Sequence, residues 1–226
     1  MPFYRHILRI ILFSFGFCGI LDFAKPKLSD YQIFAEPLNQ QIPNSHVIPY
    51  QISTPLFTDY AKKLRFIALP NGEKINYVNP EKFDFPLGTI LVKTFYYPHD
   101  FENINQGIDL VETRLLVHEA SGWKAYPYIW NKDDTQAVLS VAGGIRSVTW
   151  IDQRGSQTID YIIPNMNQCK GCHIKNEKFV PIGPTARQLN KDLEYIDGIH
   201  NQLDKWQSLG LLNNLPDSGA IPRIAD

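Results

Sequence analysis

Between residues 61 and 164 the hydrophobic positions fall in short runs rich in β-branched and aromatic residues, punctuated by Gly, Asn, Asp or Pro. The runs are "LRFIALP", "EKINYVN", "GTILVKTFYYP", "LVETRLLVHEA", "WKAYPYIWN", "AVLSVAG", "SVTWID" and "TIDYIIP". Runs of this length and composition predict strands, several of them joined as antiparallel hairpins, one turning about Arg154 and Gly155. The fold class expected is mainly β with α, an antiparallel β-sandwich or partly open barrel followed by a small helical segment. Residues 25–60 carry Pro37, Pro43, Pro49 and Pro55 with little periodicity, which predicts an irregular wrap. From 165 to 226 the period changes towards helix. Pro184 suits a first helical position, with Ala186, Leu189 and Leu193 on one face. A second helix is expected after Gly198, with Ile199, Leu203 and Trp206 together, then Leu209 or Gly210.

The first 24 residues differ from everything after them. Arg5 and Arg9 stand before or at the edge of an apolar run from Ile7 to Leu21, the pattern of an export signal or an N-terminal anchor. The run is short for a membrane span of roughly 20 residues, so the remainder is expected to be exported and soluble, with membrane contact only through this segment if it stays uncleaved. Phe17 beside Cys18 is a poor lipoprotein signal. Of the 226 residues, 44% are hydrophobic and 20% charged, which suits one large or two small globular units and argues against disorder. Net charge is -1, and without residues 1–24, which hold two arginines and one aspartate, it is -2. That balance gives no electrostatic reason to expect a nucleic-acid partner.

Candidate chemistry concentrates in "NQCKGCHIKN", where Cys169 and Cys172 are spaced C-x-x-C and His173 follows directly. A redox dithiol would use the two thiols and has no need of the histidine. Zinc could take all three, but a closed structural site requires a fourth ligand. Covalent haem c uses every one of them: each thiol adds to one vinyl group, and the histidine is the proximal iron ligand. Such haem is attached in bacteria outside the cytoplasmic membrane, so the leader and the motif agree on a periplasmic location.

Further candidates follow from that chemistry. The proximal imidazole needs an acceptor for its other ring nitrogen, and a carbonyl among Pro181, Ile182, Gly183 and Pro184 is the expected one. Arg187, or Lys170 within the motif, is a candidate partner for haem propionates. On the second iron face His200 is a candidate ligand, with His99 and His118 as others, while Met166 is too close to the motif to reach it readily; an open position is the remaining alternative. His99 with Asp100, and His118 with Glu119, otherwise read as turn and strand residues. The glycines of "PNGEK" and "DQRGSQ" lack the strand-loop-helix setting of a phosphate cradle.

The blocks "STPLFTDYAKKLRFIALPNGEKI", "FDFPLGTILVKTFYYP", "VETRLLV", "YIWN", "AVLSVAGG", "IDYIIPNMNQCKGCH" and "PIGPTARQLNKD", in this order, resemble a family of exported bacterial c-type cytochrome domain proteins with a single haem motif. Some members are fused to sugar-dehydrogenase-like propellers. The resemblance runs over about residues 28–212 and implies one covalent haem c, but no reaction. The expectation is a periplasmic single-electron carrier serving a separate redox partner protein, a dehydrogenase or another cytochrome. Two alternatives stay open. One is a haem enzyme acting on a small ligand such as peroxide at an open sixth position. "FPLGTILVKTF" is faintly similar to β-rich c-haem proteins that handle small nitrogen ligands. The other is a β-sandwich binding module with the haem as relay, which would present aromatics among Tyr96, Tyr97, Tyr126, Tyr128 and Trp130 at its surface.

Overall fold

The computed structural model describes residues 24–224. The leader expected over 1–24, with Arg5, Arg9 and Cys18, falls outside them apart from Ala24. Among the described residues no helix is long and apolar enough to cross a membrane. The fold is mainly β with short helices, its strand pairs antiparallel except for a short parallel pairing of Leu212–Asn213 with Ile75 and Asn76, and it is not closed into a barrel.

In chain order the strands are β1 (Val47–Pro49), β2 (Lys62–Ala68), β3 (Ile75–Asn79), β4 (Lys82–Asp84), β5 (Ile90–Pro98), β6 (Ile108–Glu119), β7 (Gly122–Trp130), β8 (Ala137–Leu139), β9 (Gly144–Asp152) and β10 (Gly155–Ile163). Then follow α1 (Lys170–His173), β11 (Ile174–Lys175), β12 (Lys178–Phe179), α2 (Ala186–Leu189), β13 (Asp192–Tyr195), β14 (Gly198–Asn201), α3 (Gln202–Ser208) and β15 (Leu212–Asn213). The main sheet has six strands in the order β1-β2-β5-β6-β7-β8. The β9–β10 hairpin pairs Asp152 with Gly155, so the turn is Gln153–Arg154, one residue before the Arg154 and Gly155 expected from sequence. Gly143 ahead of β9 has φ +72, and a Cβ there would meet the Ile163 carbonyl at 2.3 Å, so only glycine fits.

Strand alternation assigns the two faces of the main sheet different tasks. Val47, Phe66, Val92, Leu115, Tyr126 and Tyr128 point to one side, where Leu28, Tyr31, Phe34 and Leu38 of the N-terminal wrap cover them. The opposite side carries two separate cores. At one end Ile67 and Leu91 pack with Ile75, Phe83, Ala186, Leu189, Leu203 and Trp206. At the other end Phe95, Tyr97 and Val111 pack under Val148, Trp150, Tyr161 and Ile163 of the β9–β10 hairpin. Between these two cores lies a strip of sheet that neither covers.

The C-terminal region is less helical than the periodicity suggested. The helix expected over "PTARQLNKDLEY" ends at Leu189, and Asp192–Tyr195 pairs instead with Gly198–Asn201 as a hairpin. Asn190 is the cause. Its buried amide donates to the Ser218 and Ile221 carbonyls at 2.9 and 2.8 Å and accepts from Asn201, bonds that compete with continuing the helix. The second helix begins only at Gln202, because the Asn201 side chain accepts from Leu203 N at 2.9 Å and caps it there. Spacing alone cannot separate a long amphipathic helix from short pieces that bury the same Ala186, Leu189, Leu203 and Trp206.

Candidate cofactor site

The chain leaves β10, passes through turns, and presents Cys169, Cys172 and His173 in and beside the single helical turn α1. Directly behind it β11 and β12 form a minimal hairpin, with Asn176 and Glu177 both at positive φ as the tight turn requires. The register Ile174 opposite Phe179 puts Val180 opposite His173. The Val180 amide donates to the His173 carbonyl at 2.7 Å, and His173 Nδ1 lies 2.8 Å from the Val180 carbonyl oxygen. A carbonyl can only accept, so Nδ1 carries the proton and Nε2 holds the free lone pair. Phe179 stacks on the imidazole at 5.1 Å between centroids and 12° between planes. The acceptor is therefore Val180, one residue before the stretch Pro181–Pro184 expected from sequence, because hairpin pairing decides which carbonyl stands opposite.

His173 opens onto a cavity of about 560 Å³, inside the roughly 300–1,000 Å³ range of cofactor sites. One wall is Gln168, Cys169, Cys172, His173 and Pro181–Pro184. The facing wall is the uncovered strip of the main sheet, with Lys63 and Arg65 from β2, Lys93 from β5, Arg114 from β6 and Ala125 from β7, joined by Leu91 and Leu116 from the edge of the neighbouring core. Register sets Arg65, Lys93 and Arg114 side by side on three neighbouring strands. Leu56, Phe57, Ile162 and Ile182 ring the mouth, exposed by 64%, 72%, 65% and 43%.

Burial and charge act on every ionisable group here. Burial pushes the Cys169 thiol up, and its sulfur contacts the Asn165 carbonyl at 3.6 Å. That is the reverse of the activated thiol a redox dithiol needs. His173 is pushed down, first by burial and then by the nearby Lys93 and Arg114 charges, which keeps the imidazole neutral. Lys93 falls to about 8, through burial first and then its neighbours Arg114 and Arg65. Lys63 also falls to about 8 for the same kinds of reason. Arg114 is opposed by burial yet held up by Glu112, which accepts from its Nε at 2.8 Å and its Nη2 at 2.5 Å. Glu112 is fully buried and also accepts from the Tyr161 hydroxyl at 2.7 Å.

Several sequence candidates lie elsewhere. Arg187, on α2, pairs with Glu81 and donates its backbone N–H to the Pro80 carbonyl; it does not line the cavity. Lys170 is exposed on α1 and does not line it either. His200, on β14, faces Leu193 in its hairpin and sits 3.6 Å from Asp197, away from the cavity lining. His99 is bonded to the Gln106 carbonyl and Asp109 at 3.0 Å each, and His118 donates to the Phe85 carbonyl while stacking on Trp123. Met166 packs against the core on the far side of the sheet. Arg187 was suggested by nearness to the motif and His200 by a place at the start of an expected helix that is instead strand β14, and neither residue lines the cavity.

The basic residues of the sheet strip were absent from the sequence reading. A signal was present: "LRF", "LVKTF" and "ETRLL" each put a basic residue between apolar or threonine neighbours inside a strand, and the register gives all three the same side. Among the described residues no three His, Cys, Asp or Glu side chains converge as metal ligands. No protein-family model, curated protein or solved structure matches this chain.

Proposed function

We propose that the protein is an exported monohaem c-type protein that passes single electrons, with haem c held by Cys169, Cys172 and His173. The observation that carries this reading is a C-x-x-C-H segment forming one wall of a cofactor-sized cavity, its imidazole oriented by the 2.8 Å bond from Nδ1 to the Val180 carbonyl. The residues fit the group: two thiols free for thioether links, a neutral imidazole with its Nε2 lone pair available, and apolar lining from Leu91, Leu116 and Ala125. Bound haem c supplies a one-electron ferric/ferrous couple.

The chain's own part is to hold and tune. Val180 and Phe179 fix the His173 ring in plane and tautomer, and the Pro181–Pro184 turn with the sheet wall limits water at the site. The resemblance read from the sequence supports the same conclusion, with a periplasmic location and a separate redox partner protein, a dehydrogenase or another cytochrome.

A second reading, a haem enzyme open to a small ligand such as peroxide, is favoured by one observation. None of His200, His99, His118 and Met166 lines the cavity. Of the aromatics that would favour the binding-module reading, Tyr97, Tyr126, Tyr128 and Trp130 are buried and Tyr96 packs against the core under the N-terminal wrap. Optical spectra of the ferric, ferrous and CO-treated protein separate the first two readings. A ferrous spectrum shifted by CO favours the small-ligand enzyme, and one indifferent to CO favours a six-coordinate carrier.

A further inference from the structure

The strip of sheet facing His173 is chemically unusual. Arg65, Lys93 and Arg114 are direct cross-strand neighbours, and Lys63 stands two residues along from Arg65 on the same side. Like charges directly opposite one another in a sheet repel, and here the repulsion occurs where burial already disfavours charge. Only Arg114 has a carboxylate partner, Glu112, at 2.5 Å. Among the described residues Lys93 forms no ion pair and no side-chain hydrogen bond, and its ammonium lies 5.1 Å from the centre of the Phe95 ring. The Arg65 guanidinium has no such partner either. Lys63 donates to the Leu56 carbonyl at 3.0 Å. Against these four cations the site holds two carboxylates, Asp59 on the wall and Glu112 behind Arg114, which leaves an excess of two positive charges.

On the same side of these strands Ile67, Leu91, Phe95 and Leu116 are apolar, and Glu112 is paired with Arg114. The excess faces the cavity across from Cys169 and His173. The ligand that would satisfy it carries two negative charges on a body apolar enough for Leu91, Leu116 and Ala125. We propose that the row Lys63, Arg65, Lys93 and Arg114 seats the two carboxylates of the bound tetrapyrrole, the role that sequence proximity had suggested for Arg187 or Lys170. This inference rests on the haem reading and adds to it which residues fix the orientation of the macrocycle.

The test uses the full chain purified without haem and two probes: zinc mesoporphyrin, whose ethyl groups cannot form thioethers, and its dimethyl ester. An apolar cavity without the cations would favour the ester. The expected result is that the diacid binds at least about tenfold more tightly, a difference of about 1.4 kcal/mol. In Arg65→Met/Lys93→Met that preference should vanish while the ester still binds as it does to the wild type, which also shows that the variant is folded. Equal affinity for the two probes, or a preference that survives in the variant, overturns the proposal and leaves the haem reading standing. If millimolar azide or formate erases the preference, the row is a seat for a free small anion and the proposal is overturned. Binding of neither probe removes the haem reading itself, and this inference with it.

Discussion

Replacing Glu112 by glutamine keeps the shape of the side chain and removes its charge. Glu112 is fully buried and accepts three hydrogen bonds, two from Arg114 and one from Tyr161. Glutamine can still accept from the Tyr161 hydroxyl, but it leaves the Arg114 guanidinium without a counter-charge beside Lys93. Breaking one side of a buried ion pair costs about 3–5 kcal/mol. The Arg114 side chain is 19% exposed along the cavity, so water relieves part of that, and the expected loss is near the lower end, about 3 kcal/mol. A domain whose whole stability is about 5–15 kcal/mol should register this as a large drop in urea midpoint without a change of slope. Tyr161→Phe, which removes a single bond, should cost only about 1 kcal/mol. Glu112→Gln/Arg114→Met removes the stranded charge and should recover most of the loss. A loss below about 1 kcal/mol for Glu112→Gln, or a double variant no more stable than the single, would refute the claim that this strip of sheet is desolvated and charge-strained.

Cys172→Ala should leave one thioether link, seen as a red-shifted α band in the alkaline pyridine spectrum; an unshifted band would mean that Cys172 does not bond the haem. Trp206→Ala removes a fully buried ring from the core that Ile67 and Leu91 share with Leu189 and Leu203, and should lower stability by about 3–5 kcal/mol in urea melts, whereas a loss under about 1 kcal/mol would mean that this core is loose. In the haem-free protein Lys63 and Lys93 titrate near 8 when folded and near 10.5 when unfolded. Between those values the unfolded chain holds protons that the folded protein has released, so stability should rise with pH across that window. A flat or falling urea midpoint from pH 8 to 10.5 would contradict the burial of these amines.

The strands were legible because alternation and turn residues act locally. "SVTWIDQRGSQTIDYIIP" announces its own hairpin, and the thiol and imidazole spacing of Cys169, Cys172 and His173 is a chemical pattern that survives any fold. What the sequence obscured was set by contacts far apart in the chain. Asn190 ends a helix because Ser218, Ile221 and Asn201 bond its amide. Lys93, between buried Val92 and Thr94, reads as the solvent side of an edge strand until β2 and β6 flank it and the C-x-x-C-H segment covers it. Arg187 looked like a partner for the motif through nearness in sequence, yet Glu81 holds it elsewhere.

The central claim is that Cys169, Cys172 and His173 hold one covalent haem. The most direct measurement is made on the full-length protein expressed with a periplasmic haem-maturation system, extracted with acidified organic solvent and then assayed for haem as the alkaline pyridine complex. The account predicts one haem per chain that stays with the protein after extraction, with the α band of a doubly linked c-type haem. Haem that passes into the solvent, or zinc at full occupancy in its place, would contradict it.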